Sequence, residues 1–397
     1  MTDAFICDAA RTPIGKFAGS LAHVRTDDLA AAPLKALIER NEVDPAAIDE
    51  VFYGCANQAG EDNRDVARMA SLLAGLPVSV PGVTLNRLCA SGADAVGAAA
   101  RAIKTGEAEL TVAGGVESMT RAPLVQAKAT TAFQRGAQIE DTVVGWRFVN
   151  PKIRQLHGVA SMPETGENVA DRYKVTREDQ DRFGLWSQNK AAAAKAFHAG
   201  EIVPVEARDA KGKPFVFDAD EYPRETSLEL LAKLKPVVRP DGTVTAGNAS
   251  GINDGAAALF IASKDAAASQ GLTPRAKILG FASAGVEPDI MGVGPIYSTR
   301  KLLDRLNLTM ADFDVIEFNE AFASQVIASM RELGVDPFDD RINPHGGGIA
   351  LGHPLGMTGA RLSLTAAHAL EKRGGRLALI TMCVGVGQGV SIVIERA

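Results

Sequence analysis

Two stretches of this chain repeat the same order of elements, and that repetition constrains the fold more than any other feature. Asp49 and Asp314 each lead into a short apolar segment that is typical of a buried strand. Cys89 stands 40 residues after Asp49, and His353 stands 39 residues after Asp314. Both lie in Gly-rich turns that lead into Ala-rich helical segments. The pattern favours a duplicated α/β unit with Cys89 and His353 at one seam, and two unrelated α/β domains are the alternative.

Short apolar runs and longer helical segments alternate through both stretches, which predicts a mixed β-sheet flanked by helices. In the first stretch, strands are predicted over 4–7, 50–54, 82–85 and 109–114, and helices over 26–41, 65–73 and 93–105. In the last third, strands are predicted over 315–318, 376–382 and 390–395, and helices over 298–306, 323–333 and 359–372.

The intervening region, 121–246, is richer in proline, charge and polar turns. It contains a predicted helix over 177–199, with Thr176 as its candidate N-cap. Core-forming aromatic residues argue against a plain linker: Trp146, Phe148, Trp186 and Phe197. We therefore expect a first half over 1–120, to which 247–270 returns, an inserted substrate-covering domain over 121–246, and a second half over 271–397.

Charge and cysteine content exclude several functional classes. A formal net charge of −6 without a block of Lys or Arg argues against nucleic acid as a partner. No apolar run reaches the roughly 18–20 residues of a membrane span, and the first residues lack a secretory-signal pattern. Four cysteines in 397 residues fit free thiols in a reducing compartment, so we expect a cytoplasmic protein. No cluster has metal-ligand spacing, and no metal is expected.

Two cysteines are candidates for covalent catalysis. Cys89 precedes the predicted helix 93–105, and the free N–H groups and positive dipole end of a helix N-terminus favour a thiolate. The alternative is a small buried Cys that fills a tight turn. Cys383 precedes alternating glycines whose N–H groups can form an oxyanion hole. It lacks a following helix, which suits proton transfer better, although it is also a candidate nucleophile.

A Gly-rich segment around His353 is the other chemically informative region. His353 lies between Gly352 and Pro354, which keeps it off a helix face and predicts a cavity-facing imidazole with a pKa suited to general-base catalysis. A dinucleotide-binding loop competes with this interpretation, but glycines 346–352 do not match the Gly-x-Gly-x-x-Gly spacing. Asn319 follows a predicted strand and could orient a water or a carbonyl, or simply cap the next helix.

With these residues in hand, the chain resembles the thiolases, which are acetyl-CoA acyltransferases. The resemblance runs through four segments in order: 11–15 (Arg-Thr-Pro-Ile-Gly), 114–119 (Gly-Gly-Val-Glu-Ser-Met), 245–251 (Thr-Ala-Gly-Asn-Ala-Ser-Gly) and 383–385 (Cys-Val-Gly). It implies an α/β thiolase fold of two similar βαβαβαββ halves in a five-layered α-β-α-β-α core. The insertion would be a loop domain that covers coenzyme A.

The resemblance also implies a role for each site residue. Cys89 would carry the acyl group, and His353 would activate it and form an oxyanion hole with a water held by Asn319. Cys383 would move the proton at the substrate's α-carbon, and the N–H groups of Cys89 and Gly385 would form a second oxyanion hole. Coenzyme A would be a substrate, with no cofactor permanently bound. The implied coenzyme A contacts are Arg224, Ala246, Ser250, Ala321 and Phe322, and the implied assembly is a homotetramer of two tight dimers.

Departures from the short-chain members bear on the substrate. Ser161-Met162 stands where those thiolases carry a His-Met pair that contacts the thioester side. Together with segment 145–151, the Ser161-Met162 pair looks most similar to thiolases that act on 3-oxoadipyl-CoA in aromatic-compound breakdown. Such a dicarboxylic acyl chain needs a cation for its far carboxylate, and Arg147 is the candidate. His345 stands where Asn is more usual, and its effect on the pocket stays open.

Three functional classes compete. A degradative thiolase would need free coenzyme A, whereas a decarboxylative condensing enzyme would need a second catalytic His or Asn and no acid–base Cys. A non-catalytic thiolase-like lipid carrier would lack part of the Cys/His/Cys set. Cys383 with Asn319 disfavours the second class, and the complete set disfavours the third. Acetoacetyl-CoA and the 3-ketoacyl-CoA substrates of β-oxidation are the alternatives within the first class.

Overall fold

The computed structural model describes residues 2–397. Its first part contains β1 (Phe5–Arg11), β2 (Gly15–Lys16), α1 (Thr26–Asn41), β3 (Glu50–Gly54), α2 (Val66–Leu73), β4 (Gly82–Leu85), α3 (Ser91–Thr105) and β5 (Leu110–Ser118). Its central part contains β6 (Leu124–Gln126), β7 (Ile139–Asp141), α4 (Pro151–His157), α5 (Met162–Tyr173), α6 (Arg177–Ala193), α7 (Lys195–Ala199), β8 (Val205–Arg208), β9 (Pro214–Phe217) and α8 (Leu228–Ala232). Its last part contains β10 (Asn253–Ala262), α9 (Lys264–Ser269), β11 (Ala276–Gly285), α10 (Gly294–Leu306), β12 (Val315–Phe318), α11 (Ala323–Glu332), α12 (Gly348–Leu351), α13 (Leu355–Arg373), β13 (Leu377–Val384) and β14 (Gln388–Arg396).

Ten strands form one hydrogen-bonded sheet that divides into two half-sheets. Nine of them follow the order β12-β13-β14-β11-β1-β10-β5-β3-β4, and β2 pairs with β10. Only two residue pairs join β1 to β11, Phe5 with Lys277 and Ile6 with Ala276. Strand β10, which follows the central region in sequence, lies between β1 and β5 and is antiparallel to both.

Helices cover the two half-sheets in five layers. Helices α1 and α2 pack on the outer face of the first half-sheet, and α10 and α11 pack on the outer face of the second. Helices α3 and α13 lie between the half-sheets in an Ala-rich core. Alanine allows close helix approach because its side chain is short. The predicted α-β-α-β-α architecture is confirmed.

The two halves share a hydrogen-bond pattern as well as a topology. A carboxylate oxygen of Asp49 accepts the backbone N–H groups of residues 109 and 110 at 2.7 and 3.1 Å, and one of Asp314 accepts those of residues 376 and 377 at 2.6 and 3.1 Å. In the first half, β3 is parallel to β5, and β5 is antiparallel to β10. In the second half, β12 is parallel to β13, and β13 is antiparallel to β14. The predicted duplication is therefore present in the fold.

The N-terminal ends of α3 and α13 touch at positions without side chains. A Cβ at Gly359 would lie 2.1 Å from Ala93 N, and one at Gly92 would lie 2.5 Å from Gly356 O. Only glycine permits so close an approach of two backbones. Because Cys89 and His353 immediately precede these helices, the contact brings both to one seam.

Several predicted element boundaries need correction. Helix α13 begins at Leu355 rather than residue 359, and α10 begins at Gly294 rather than residue 298. The predicted helix over 177–199 is two helices, because Ala194 has non-helical dihedral angles (φ −99°, ψ 14°). Thr176 does cap α6, since its side chain accepts the Asp179 N–H at 3.1 Å. Among residues 2–397, no helix combines the length and apolar character that crossing a membrane requires.

Candidate active site

A cavity of about 710 Å³ opens between the central region and the two halves. Apolar side chains dominate its wall, and Arg147 is the only Arg or Lys among the described residues that line it. Cys89, His353, Cys383 and Gly385 also line it. The structure therefore gathers these separate parts of the sequence in one place.

Cys89 lies in a short 3-10 turn, Leu88–Ala90, directly before α3. Burial raises the pKa of its thiol to about 11, although the N–H groups of Gly385 and of Cys89 itself hydrogen-bond to the sulfur and lower that pKa. The negative charge of Glu117 adds to the increase. The N–H groups thus favour a thiolate, as the sequence suggested, but loss of hydration opposes it and outweighs them in the free protein.

His353 is buried, and both of its ring nitrogens have neighbours. Nδ1 lies 2.7 Å from Thr358 Oγ1, and the same hydroxyl donates to the carbonyl oxygen of Pro354 at 2.7 Å. Since the hydroxyl has one hydrogen, it must accept from Nδ1–H. The hydrogen-bond pattern thus assigns the proton of neutral His353 to Nδ1 and leaves Nε2, 3.3 Å from Asn319 Nδ2, as an acceptor.

Burial lowers the pKa of His353 to about 3, and the positive charge of Arg361 contributes. The imidazole faces the cavity as expected, but its pKa is below the range predicted for a general base. The free protein therefore holds a neutral imidazole beside a neutral Cys89 thiol.

Asn319 lies immediately after β12 and behind His353 rather than in the cavity wall. Its backbone N–H donates to Thr381 O at 3.0 Å, and its Oδ1 has no hydrogen-bond partner among the described residues. Helix α11 begins at Ala323 after the N-cap Phe322. The alternative that Asn319 caps this helix is therefore wrong.

Cys383 is the penultimate residue of β13 rather than part of the turn that follows. Burial raises the pKa of its thiol well above the usual range, and the nearby Cys89 raises it further. In the turn, Gly385 packs so closely that a Cβ there would lie 3.0 Å from Leu88 Cδ1. This packing places the Gly385 N–H against Cys89.

Four of the expected coenzyme A contacts share one wall of the cavity: Ala246, Ser250, Ala321 and Phe322. The Ser250 N–H donates to Ala321 O at 2.9 Å, which joins the two segments. Met162 also lines the cavity and packs in a small apolar cluster with Cys383. Arg224 is not part of the wall, but its guanidinium donates to Ala246 O at 2.6 Å.

Arg147 and His345 differ in their relation to the cavity. Arg147 is half-buried in its wall and makes no hydrogen bond or ion pair with the described residues. His345 is outside the wall and stacks on Phe197, with ring centroids 3.6 Å apart. Its carbonyl oxygen lies 2.8 Å from His198 Nε2. His345 thus fastens α7 to the second half rather than shaping the pocket.

The glycines before His353 accommodate the protein itself. A Cβ at Gly347 would lie 2.2 Å from the Glu320 carboxyl carbon, and one at Gly346 would lie 2.7 Å from the Ala191 side chain. Glycines 346–348 are buried. This close packing leaves no room for a dinucleotide against that segment.

Glu117 and Thr358 were missed by sequence reasoning. The buried Glu117 carboxylate accepts backbone N–H groups from Ala56, Asn57 and Gly356 at 3.0, 2.9 and 2.7 Å. Burial raises its pKa to about 7. The sequence signal that could have identified Glu117 was its charge inside an apolar strand segment. Thr358 had no comparable signal.

Glu117, Cys55 and Asp62 also place potential ligand atoms within 4.8 Å of one another. This is a spacing compatible with a metal ion, and the sequence did not reveal it. However, three backbone N–H groups already donate to the two Glu117 carboxylate oxygens and use lone pairs that a metal ion would need.

Two family models match almost the whole chain. Residues 4–265 match the thiolase N-terminal domain and residues 272–396 match the thiolase C-terminal domain. The chain belongs to the thiolase family. Thiolases are acyltransferases, which agrees with the enzyme class that the cysteines suggested.

Curated relatives of this thiolase match over nearly their full length. A protein named beta-ketoadipyl-CoA thiolase from Pseudomonas knackmussii is 65% identical over 99% of both chains. One from Escherichia coli named 3-oxoadipyl-CoA/3-oxo-5,6-dehydrosuberyl-CoA thiolase is 58% identical over 100% of both chains. An acetyl-CoA acetyltransferase from Chromobacterium violaceum is 45% identical over 98% of this chain and 99% of that protein.

Solved structures give the same family. A Bacillus anthracis acetyl-CoA acetyltransferase superposes with a TM-score of 0.92 at 40% identity, and covers 100% of this thiolase and 99% of its own chain. Human mitochondrial 3-ketoacyl-CoA thiolase has the same TM-score and coverage at 37% identity.

Proposed function

We propose that this thiolase cleaves 3-oxoadipyl-CoA with free coenzyme A to give succinyl-CoA and acetyl-CoA, reversibly, through an acyl-enzyme on Cys89. The observation that carries the proposal is that two thiols and an imidazole face one apolar cavity whose wall contains a single cation, Arg147. The names of relatives 58–65% identical to this chain support a dicarboxylic acyl chain.

Carbon–carbon cleavage begins when Cys89 Sγ attacks the 3-oxo carbon and its proton passes to His353 Nε2. The resulting alkoxide collapses to a thioester, and the C2–C3 bond breaks. Cys383 donates its proton to C2 of the departing enolate, which leaves as acetyl-CoA. Protonated His353, with the Asn319 amide behind it, supplies positive charge and a donor near the enolate oxygen.

The second half-reaction transfers the succinyl group. Coenzyme A gives its thiol proton to the Cys383 thiolate and attacks the Cys89 thioester. The N–H groups of Cys89 and Gly385 stabilise the oxyanion that forms, and each such donor contributes about 3–4 kcal/mol. Cys89 then leaves and recovers its proton from His353, which restores both neutral groups.

Substrate binding uses the remaining predicted residues. We propose that 121–246 forms a loop domain over coenzyme A, between halves at 1–120 with 247–270 and at 271–397. Ala246, Ser250, Ala321, Phe322 and Met162 contact the pantetheine and thioester side, and Arg224 lies near the nucleotide. Arg147 binds the far carboxylate.

We also propose a cytoplasmic homotetramer of two tight dimers. Strand β4 is a sheet edge with exposed Leu72, Leu73 and Val78 nearby, a surface that a second copy can cover. The β6–β7 hairpin exposes further apolar side chains, suited to joining dimers: Leu124, Phe133 and Ile139. Four free cysteines fit a reducing compartment.

A thiolysis panel tests the function. Wild type should cleave 3-oxoadipyl-CoA with a higher kcat/KM than acetoacetyl-CoA or 3-oxohexanoyl-CoA. Arg147→Ala should raise KM for 3-oxoadipyl-CoA more than for acetoacetyl-CoA, and Arg147→Lys should recover part of the difference. A wild-type preference for acetoacetyl-CoA would replace the proposed substrate by the short-chain one.

A further inference from the structure

Asn57 forms a buried connection between the first half and the cavity wall. It follows β3, and its side-chain amide donates to both Thr142 O at 3.1 Å and Thr142 Oγ1 at 3.0 Å. Its own Oδ1 accepts the Ala59 N–H at 3.0 Å. Asn57 and Thr142 are 6% and 2% exposed, so water cannot readily replace these bonds.

Residues 142–148, here called the acyl loop, line the cavity in an unbroken run that includes Arg147. Apart from a bond between near neighbours, in which the Val143 N–H donates to Asp141 Oδ1 at 2.9 Å, side-chain hydrogen bonds fasten this loop to the rest of the protein at two residues among those described. One is Thr142, held by Asn57 and itself donating to Pro123 O at 2.7 Å. The other is Trp146, whose indole N–H donates to Ala160 O at 3.2 Å.

Hydrogen bonds also connect Asn57 to the turn that contains His353. The Asn57 N–H donates to Glu117, and the other oxygen of that carboxylate accepts the Gly356 N–H. Gly356 lies in the first turn of α13, close after His353. One buried carboxylate therefore fixes both the base of the acyl loop and the turn that carries the imidazole.

We propose that Asn57 is a specificity-determining positioning residue, which fixes the acyl loop so that Arg147 meets the far carboxylate of a dicarboxylic acyl chain. This inference rests on the proposed function. No residue within 2–397 holds the Arg147 guanidinium by a hydrogen bond or an ion pair, so its position depends on the backbone of the loop. A rigid loop that presents Arg147 loses less conformational freedom when the substrate carboxylate binds than a mobile loop would lose.

The test compares three variants, Asn57→Ala, Arg147→Ala and the double variant, on 3-oxoadipyl-CoA and acetoacetyl-CoA. Asn57→Ala should raise KM for 3-oxoadipyl-CoA about tenfold, as expected for loss of about 1.4 kcal/mol, and much less for acetoacetyl-CoA. The double variant should resemble Arg147→Ala, because a mispositioned guanidinium and an absent one have the same consequence.

Thr142→Val and Thr142→Ser supply a second pair in case Asn57→Ala folds poorly by circular dichroism. Valine removes the hydroxyl that links Asn57 to Pro123, whereas serine keeps it, so only valine should shift the ratio of the two KM values. Equal effects on both substrates, or additive effects of Asn57→Ala and Arg147→Ala, would overturn the inference while leaving the proposed function intact. Absence of a 3-oxoadipyl-CoA preference in wild type would overturn both.

Discussion

Thr358 lies 2.7 Å from His353 through its hydroxyl, which also donates to Pro354 O at 2.7 Å. The residue that orients the imidazole is therefore a neutral acceptor rather than a carboxylate. A carboxylate there would stabilise the imidazolium, whereas the hydroxyl fixes the tautomer without adding charge. This suits a base that takes a proton in the first half-reaction and gives it back in the second.

Thr358→Val should lower kcat by about tenfold to a hundredfold, because Nδ1–H loses its acceptor and the proton can move to Nε2. Thr358→Ser keeps the hydroxyl and should recover most of the rate. Steady-state thiolysis across pH 6–9 provides the measurement. Equal loss in the valine and serine variants would mean that Thr358 matters for packing and not for the tautomer.

Measuring the two half-reactions independently should distinguish the catalytic roles of Cys89 and Cys383. Cys89→Ser should lower thiolysis by at least about a thousandfold and leave no acyl-enzyme in intact-protein mass spectrometry. Cys383→Ser should also lose carbon–carbon cleavage but still acylate Cys89 from succinyl-CoA, more slowly than wild type, since coenzyme A can leave as a thiolate and no proton moves at carbon. An acyl group retained in Cys89→Ser would instead support Cys383 as the nucleophile.

Alkylation of Cys89 should report its protonation state directly. Because burial raises its pKa to about 11 and lowers that of His353 to about 3, the neutral thiol and imidazole are the resting forms. The rate with iodoacetamide should then rise about tenfold per pH unit between pH 7 and 10, following the thiolate fraction. Peptide mapping assigns the label to Cys89.

His353→Ala serves as the control for this titration. It should keep the same slope, since the imidazole is neutral throughout that range. A rate in the wild type that is already constant at neutral pH, with a slope appearing only in the variant, would indicate a preformed thiolate–imidazolium pair.

Much of the fold was predictable because its signals are local. Asp49 and Asp314 mark equivalent strand starts, and both accept hydrogen bonds from the start of a neighbouring parallel strand, so the duplication could be read from spacing alone. The boundaries of α10 and α13 were less predictable. Their first turns contain glycine, proline or both, whose helix preference is set by tertiary contacts.

The electrostatic state of the site could not be predicted from sequence. The helix N-terminus at Cys89 is a local signal for a lowered pKa, but burial under the central region is a non-local effect of opposite sign and dominates. The Asn57–Thr142 and His353–Thr358 bonds are equally invisible, because their residue types carry no motif and gain meaning only from what they face.

A buried ion pair behind His353 leads to the last prediction. Glu317 and Arg361 are 3.7 Å apart at their closest N and O atoms, and neither Glu317 oxygen nor either Arg361 terminal nitrogen has a hydrogen-bond partner among the described residues. Burial raises the pKa of Glu317 to about 8 and lowers that of Arg361. The loss of hydration on burial offsets much of the attraction between the two charges of such a pair.

Glu317→Met should therefore lower the free energy of unfolding by about 3–5 kcal/mol at pH 9, above the pKa of Glu317, because the Arg361 guanidinium is left buried without a countercharge. The double variant Glu317→Met, Arg361→Met should lose much less, since no charge remains to be buried. Urea titrations of the four members of this cycle measure the difference. A double variant as unstable as Glu317→Met would show that the pair stabilises the fold through its geometry, and the unpaired charge would no longer explain the cost.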